Sequence, residues 1–227
     1  MLRENLNKIN ETILEVCNRS GRSASEITLI AVSKNHKVNE IASAYELGVH
    51  NFGENRAQEL KEKASLLKLD FTWHFIGHLQ TNKVKYVMQS AGFIHSIDSV
   101  KLVAEVNKHA ANLSKRINIL LEIKTSSEAT KYGLEDENEI IKVAEYCKES
   151  GNLNLVGLMT IAPFTDDEKK VRYSFVQLRK LRDSLNYRGF GLNELSMGMT
   201  NDYKIAIEEG ATMLRIGSAI FGERNKA

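Results

Sequence analysis

Ile27-Thr28-Leu29-Ile30-Ala31-Val32-Ser33-Lys34 is a short apolar run, rich in β-branched residues, that ends on an amine. A run of this kind reads as a strand buried on both faces, as in a parallel sheet. Upstream, Leu2, Leu6, Ile9, Ile13 and Val16 recur every three or four residues, which predicts an amphipathic helix. Downstream, strand-like runs fall around 50–52, 72–76, 93–97, 117–123, 155–161, 195–197 and 213–216, making eight with the first. Helical stripes separate them. Val38, Ile41 and Tyr45 share a face, as do Leu60, Ala64 and Leu67, then Val103, Val106 and Ala110. Ile140, Ala144 and Cys147 form another, and Val171, Phe175, Leu178, Leu181 and Leu185 the longest. Asp136 marks one helix start, and Thr165-Asp166-Asp167-Glu168 reads as a capping box for the next. Gly189, Gly191 and Gly210 are expected in loops.

Alternating helix and buried strand means βα units and an α/β fold. Eight such strands in 227 residues fit a single (β/α)8 TIM barrel spanning residues 1–227 as one domain. The competing arrangement is an open doubly wound sheet, which often carries a Gly-rich turn after its first strand. Ser33-Lys34-Asn35-His36 is not such a turn.

Composition removes several function classes. The 31 Lys and Arg against 29 Asp and Glu leave a net charge of +2, without the basic excess of a nucleic-acid binder. No apolar run has the roughly 20 residues of a membrane span, and the N-terminus lacks a signal-peptide core. Cys17 and Cys147 fall in helical segments with no metal or disulfide spacing. A cytoplasmic protein is expected. The only proline is Pro163, and no Pro/Gly/Ser-rich linker divides the chain.

In a barrel, function gathers at the C-terminal ends of the strands. Lys34 continues the Ile30–Val32 face there. An amine at the end of an apolar row is open to a lowered pKa and to Schiff-base chemistry with carbonyls. It equally suits a strand cap that snorkels into solvent, the more ordinary role. Ser196-Met197-Gly198-Met199-Thr200 and Gly217-Ser218, at the last two strand ends, offer the small residues and hydroxyls of a phosphate cradle, or merely turn the chain. His74 and His78 lie four apart, about 13 Å along a strand, too far to share a metal ion. No metal site is expected.

At these strand ends the chain resembles the pyridoxal phosphate homeostasis family, whose barrel is similar to the N-terminal domain of alanine racemase. The likeness runs through Ala31-Val32-Ser33-Lys34, Phe52-Gly53-Glu54-Asn55-Arg56 and Trp73-His74-Phe75-Ile76-Gly77-His78-Leu79-Gln80-Thr81-Asn82-Lys83. It continues through Gly157-Leu158-Met159, Leu195-Ser196-Met197-Gly198-Met199-Thr200-Asn201-Asp202 and Arg215-Ile216-Gly217-Ser218-Ala219-Ile220-Phe221-Gly222. The resemblance implies that Lys34 forms a Schiff base with pyridoxal 5′-phosphate (PLP). It implies that Ser196, Gly217 and Ser218 hold the phosphate and that Arg215 faces the pyridine nitrogen. Asn55, His78 and Met159 would line the ring pocket. Ser218 stands where the family often has threonine, and the hydroxyl is kept.

An arginine at the ring nitrogen weakens the electron-sink chemistry that a carboxylate partner supports. The resemblance thus implies a carrier that stores, buffers or delivers PLP, with apo PLP-dependent enzymes as recipients. The alternative is a racemase-like PLP enzyme. Racemases on this barrel bring a second base from a further domain, and the chain ends soon after the eighth strand, which favours a non-catalytic monomer. Lys131, in Lys131-Tyr132-Gly133, is a candidate second amine for cofactor transfer.

Overall fold

A computed structural model describes residues 1–126 and 132–222. Eight parallel strands, each hydrogen-bonded to its neighbours in chain order, close into a barrel. They are β1 (Thr28–Val32), β2 (Asn51–Glu54), β3 (Thr72–Phe75), β4 (Ala91–Ile97), β5 (Ile117–Glu122), β6 (Leu153–Met159), β7 (Glu194–Ser196) and β8 (Met213–Ile216). The ring closes where β8 pairs with β1, with Ile30 opposite Arg215 and Ala31 opposite Ile216.

The helices are α1 (Leu2–Arg19), α2 (Val38–Glu46), α3 (Ala57–Leu66), α4 (Val84–Val87), α5 (Val100–Asn112), α6 (Glu137–Glu149), α7 (Glu168–Tyr187), α8 (Tyr203–Glu208) and α9 (Ser218–Phe221). The apolar stripes of the longer helices are buried as their spacing predicts: Leu6, Ile9, Ile13 and Val16 on α1, and Val171, Phe175, Leu178 and Leu185 on α7. One large core lies among strands and helices. A smaller plug of Ile30, Leu120, Met159 and Met213 stands apart from it.

Two expectations need correction. The short helices α4, α8 and α9 were not expected, because four to six residues give too little periodicity to register. The cap of α7 is Asp167, whose carboxylate accepts from the backbone N–H groups of Lys169 and Lys170. Thr165 sits outside the helix, its Oγ1 accepting from the Asp167 N–H. Asp136 caps α6 as expected, accepting from the N–H of Glu139.

Candidate functional site

A cavity of about 700 Å³ opens beside the ends of β1, β2 and β8, a size typical of small-molecule sites. Lys34, Asn55, Arg215, Gly217 and Ser218 line it, together with Thr200. Pro163 and Phe164 also line it, and Phe164 is 93% exposed.

Lys34 lies two residues beyond β1, in a turn whose next residue, Asn35, has a left-handed φ of 63°. A non-glycine residue in that region is held there by its surroundings. The holding contacts flank Lys34. Ser33 donates its N–H to Gly53 O at 3.0 Å and its hydroxyl to Glu54 Oε1 at 2.6 Å. Lys63 Nζ donates to Ser33 O at 2.6 Å, to Glu54 Oε1 at 2.7 Å and to Glu59 Oε1 at 2.7 Å. Glu59 Oε1 also accepts the Asn35 N–H at 2.5 Å. Glu54 and Lys63 are both buried, and burial raises the Glu54 pKa even against the lowering by Lys63. A buried ionic clamp therefore fixes the turn that carries the amine.

Arg215, on the β8 strand, is buried and is gripped differently. It donates through Nη1 to Ser196 Oγ at 2.6 Å and through Nη2 to Thr160 O at 2.8 Å. Burial lowers its pKa to about 10, with Asp202 and Glu122 acting in the opposite direction. Behind Ser196 the contacts continue. Ser196 Oγ lies 2.8 Å from His95 Nδ1, His95 Nε2 lies 2.9 Å from His74 Nδ1, and His74 Nε2 lies 3.0 Å from Asn51 Oδ1. Burial alone holds His74 down at about 3. It also drives His95 well below the usual imidazole range, with His74 and Arg215 adding to the effect. Glu122, at the end of β5, is pushed up to about 7 by burial and by Asp98, while Arg215 acts to lower it.

Five of the eight residues singled out in the sequence thus meet at one cavity: Lys34, Asn55, Arg215, Gly217 and Ser218. The other three are placed elsewhere. Met159 belongs to the buried plug with Ile30, Leu120 and Met213. His78 stacks on Tyr132 at 3.6 Å between ring centroids, with its Nδ1 3.5 Å from Asp98 Oδ2. Ser196 is fully buried, and its hydroxyl is occupied by Arg215 and His95. The hydroxyl that the β7 end brings to the cavity is that of Thr200, 3.2 Å from Ser218 Oγ. Lys131 lies outside the described residues. Sequence reasoning missed the clamp and the paired histidines. Their one signal was a set of polar residues, Glu54, His74 and His95, inside otherwise apolar strands.

Among the described residues no group of three His, Cys, Asp or Glu side chains is arranged to hold a metal ion, and no helix is long and apolar enough to cross a membrane.

Residues 5–225 match the family model of the alanine racemase N-terminal domain. The chain is 43% identical to the pyridoxal phosphate homeostasis protein of Aquifex aeolicus over 223 residues, covering 97% of each chain. It belongs to the pyridoxal phosphate homeostasis family. PipY of Synechococcus elongatus, solved with PLP bound, is similar across 98% of this chain and 100% of its own, at 33% identity and a TM-score of 0.85. The alanine racemase of Clostridium difficile matches 99% of this chain but 57% of its own, at 16% identity and a TM-score of 0.80. That likeness is one of fold. The Aquifex protein and PipY align over nearly their full length, whereas the racemase extends well beyond the shared barrel.

Proposed function

We propose that the cavity binds PLP and that the chain serves intracellular PLP homeostasis by holding the cofactor and handing it on. One observation carries this reading: an amine, Lys34, and a buried guanidinium, Arg215, line the same cavity as Gly217 and Ser218. The residues fit the cofactor. Asn55 Oδ1 is buried without a hydrogen-bond partner among the described residues, as a group awaiting a ligand would be. Gly217 packs closely: an added Cβ would lie 3.3 Å from Val32 O, tighter than ordinary van der Waals contact. PLP supplies a reactive aldehyde and an electron-drawing ring when bound.

Lys34 would hold the aldehyde, reversibly and covalently. Gly217, Ser218 and Thr200 would hold the phosphate, and Asn55 the edge of the ring. Arg215 would face the ring nitrogen as a donor. Ser196 then acts through Arg215, while Met159, in the buried plug, and His78, against Tyr132, take no direct part. An arginine gives a hydrogen bond without giving up its proton at neutral pH, so carbanion chemistry is not promoted. That supports storage and delivery in place of turnover; apo PLP-dependent enzymes as recipients and the cytoplasm as compartment are part of the proposal.

Reduction of the PLP-loaded protein with borohydride, followed by peptide mapping, tests the reading. The reduced adduct is expected on Lys34 and lost in Lys34→Ala. An adduct carried mainly by another lysine overturns the assignment. Incubation with single amino-acid enantiomers is expected to give no sustained racemisation, and steady turnover would overturn the carrier role.

A further inference from the structure

Arg215 has no acceptor capacity, so every hydrogen bond it makes is donated. That fixes the direction of the contacts behind it. Ser196 Oγ accepts from Nη1, and among the described residues its own proton then has His95 Nδ1, at 2.8 Å, as its acceptor. His95 must carry its proton on Nε2 and donate it to His74 Nδ1 at 2.9 Å. His74 in turn carries its proton on Nε2 and donates to Asn51 Oδ1 at 3.0 Å. The reverse direction would leave the buried Ser196 hydroxyl proton unpaired, a costly arrangement in a dry interior. Phe93 stacks on His74 at 4.6 Å and fixes the plane of that ring.

We propose that Asn51, His74, His95 and Ser196 form a one-way hydrogen-bonded brace, its direction set by Arg215, that holds the guanidinium as a permanent donor facing the cavity. The inference rests on the PLP reading for its consequence but not for its geometry. All four are positioning residues. The brace runs through the barrel interior from the first residue of β2 to β8, and both of its rings are neutral at physiological pH because burial disfavours their charged forms. The brace ends on Asn51 Oδ1, which has no proton to give, and Arg215 keeps its own at neutral pH, so a ring nitrogen meeting Arg215 receives an N–H on its lone pair. Glu122, the carboxyl acting on Arg215 from β5, takes no place in this sequence of contacts.

Nitrogen-15 NMR of the labelled, cofactor-free protein tests the brace directly. His74 and His95 are both expected as neutral Nε2–H tautomers down to about pH 5. A proton on Nδ1 of either ring in the wild-type protein overturns the proposal, and this measurement needs no variant to fold. In Ser196→Ala, His95 is expected to lose its fixed tautomer, and Ser196→Thr, which keeps the hydroxyl, is expected to restore it. With pyridine-15N PLP, the ring nitrogen is expected to stay unprotonated in the wild type and to take up a proton as pH falls in Ser196→Ala. If Ser196→Ala matches the wild type in both tautomer and ring nitrogen, the brace has no positioning role. If the wild type takes up no PLP, the proposed function fails, while the tautomers still decide the brace.

Discussion

Lys34 and Arg215 line one cavity, and the contacts around the turn of the first differ in kind from those on the second. The turn bearing Lys34 is gripped on either side of the lysine, at Ser33 and Asn35, by the ionic set of Glu54, Glu59 and Lys63. Arg215 is gripped through its own guanidinium, by the neutral oxygens of Ser196 and Thr160. The contrast matches the chemistry proposed for each. An amine that forms and releases a covalent bond is best placed through its backbone neighbours. A guanidinium that only donates can be tied down by its own nitrogens.

The largest expected effect breaks the clamp. Lys63→Met leaves the Glu54 carboxylate buried and unpaired, and denaturant unfolding should show a loss of about 3–5 kcal/mol. Adding Glu54→Leu to that variant should recover much of the loss, because the fully buried lone charge is gone and only the partly exposed Glu59 remains. A Lys63→Met protein as stable as the wild type would mean that the clamp carries no structural weight.

Next comes the brace. Ser196→Ala strands a buried Arg215 N–H and should cost about 1–3 kcal/mol by the same measurement.

Acid then separates the two regions by sign. The unfolded chain protonates His74 below about 6.5, while the folded protein resists until about 3. Stability should therefore fall as pH drops through that window, by about 1.4 kcal/mol per pH unit for this residue. His95 acts in the same direction. Glu54 acts in reverse: its raised folded pKa favours the protonated form, so its share is lost as pH rises from the ordinary carboxylate range through that higher folded value. His74→Phe should reduce the first slope to the share of His95 and leave the second.

The smallest effect lies at the cavity. Ser218→Ala and Thr200→Val should each weaken PLP binding by about 0.5–1.5 kcal/mol, roughly 2- to 12-fold by titration. Titrating Ser196→Ala beside Ser218→Ala would also show which hydroxyl meets the phosphate.

The barrel was legible because strands buried on both faces write themselves as apolar runs, and helices such as α1 and α7 are long enough to show their stripe. The site was half legible. Strand ends and the β1 face led to Lys34 and Arg215, since alternation along a strand is fixed by covalent geometry. Ser196 and Thr200 could not be told apart. Both are hydroxyls near the β7 end, and only the packed barrel shows that one turns inward to Arg215 while the other reaches the cavity. His74 and His95 meet across β3 and β4, 21 residues apart, and no local pattern announces such a contact.

The seam between β1 and β8 has a consequence for the order of assembly. Ile30 pairs with Arg215 across almost the whole chain, so Lys34 and Arg215 are strangers until the ring closes. Contacts so distant in sequence carry the highest loop-closure entropy and tend to form late. A nascent chain can lay down β1 to β7 and still own only one side of the pocket. Competence to take up the cofactor arrives with the final strand, which makes cofactor capture a report on completed folding.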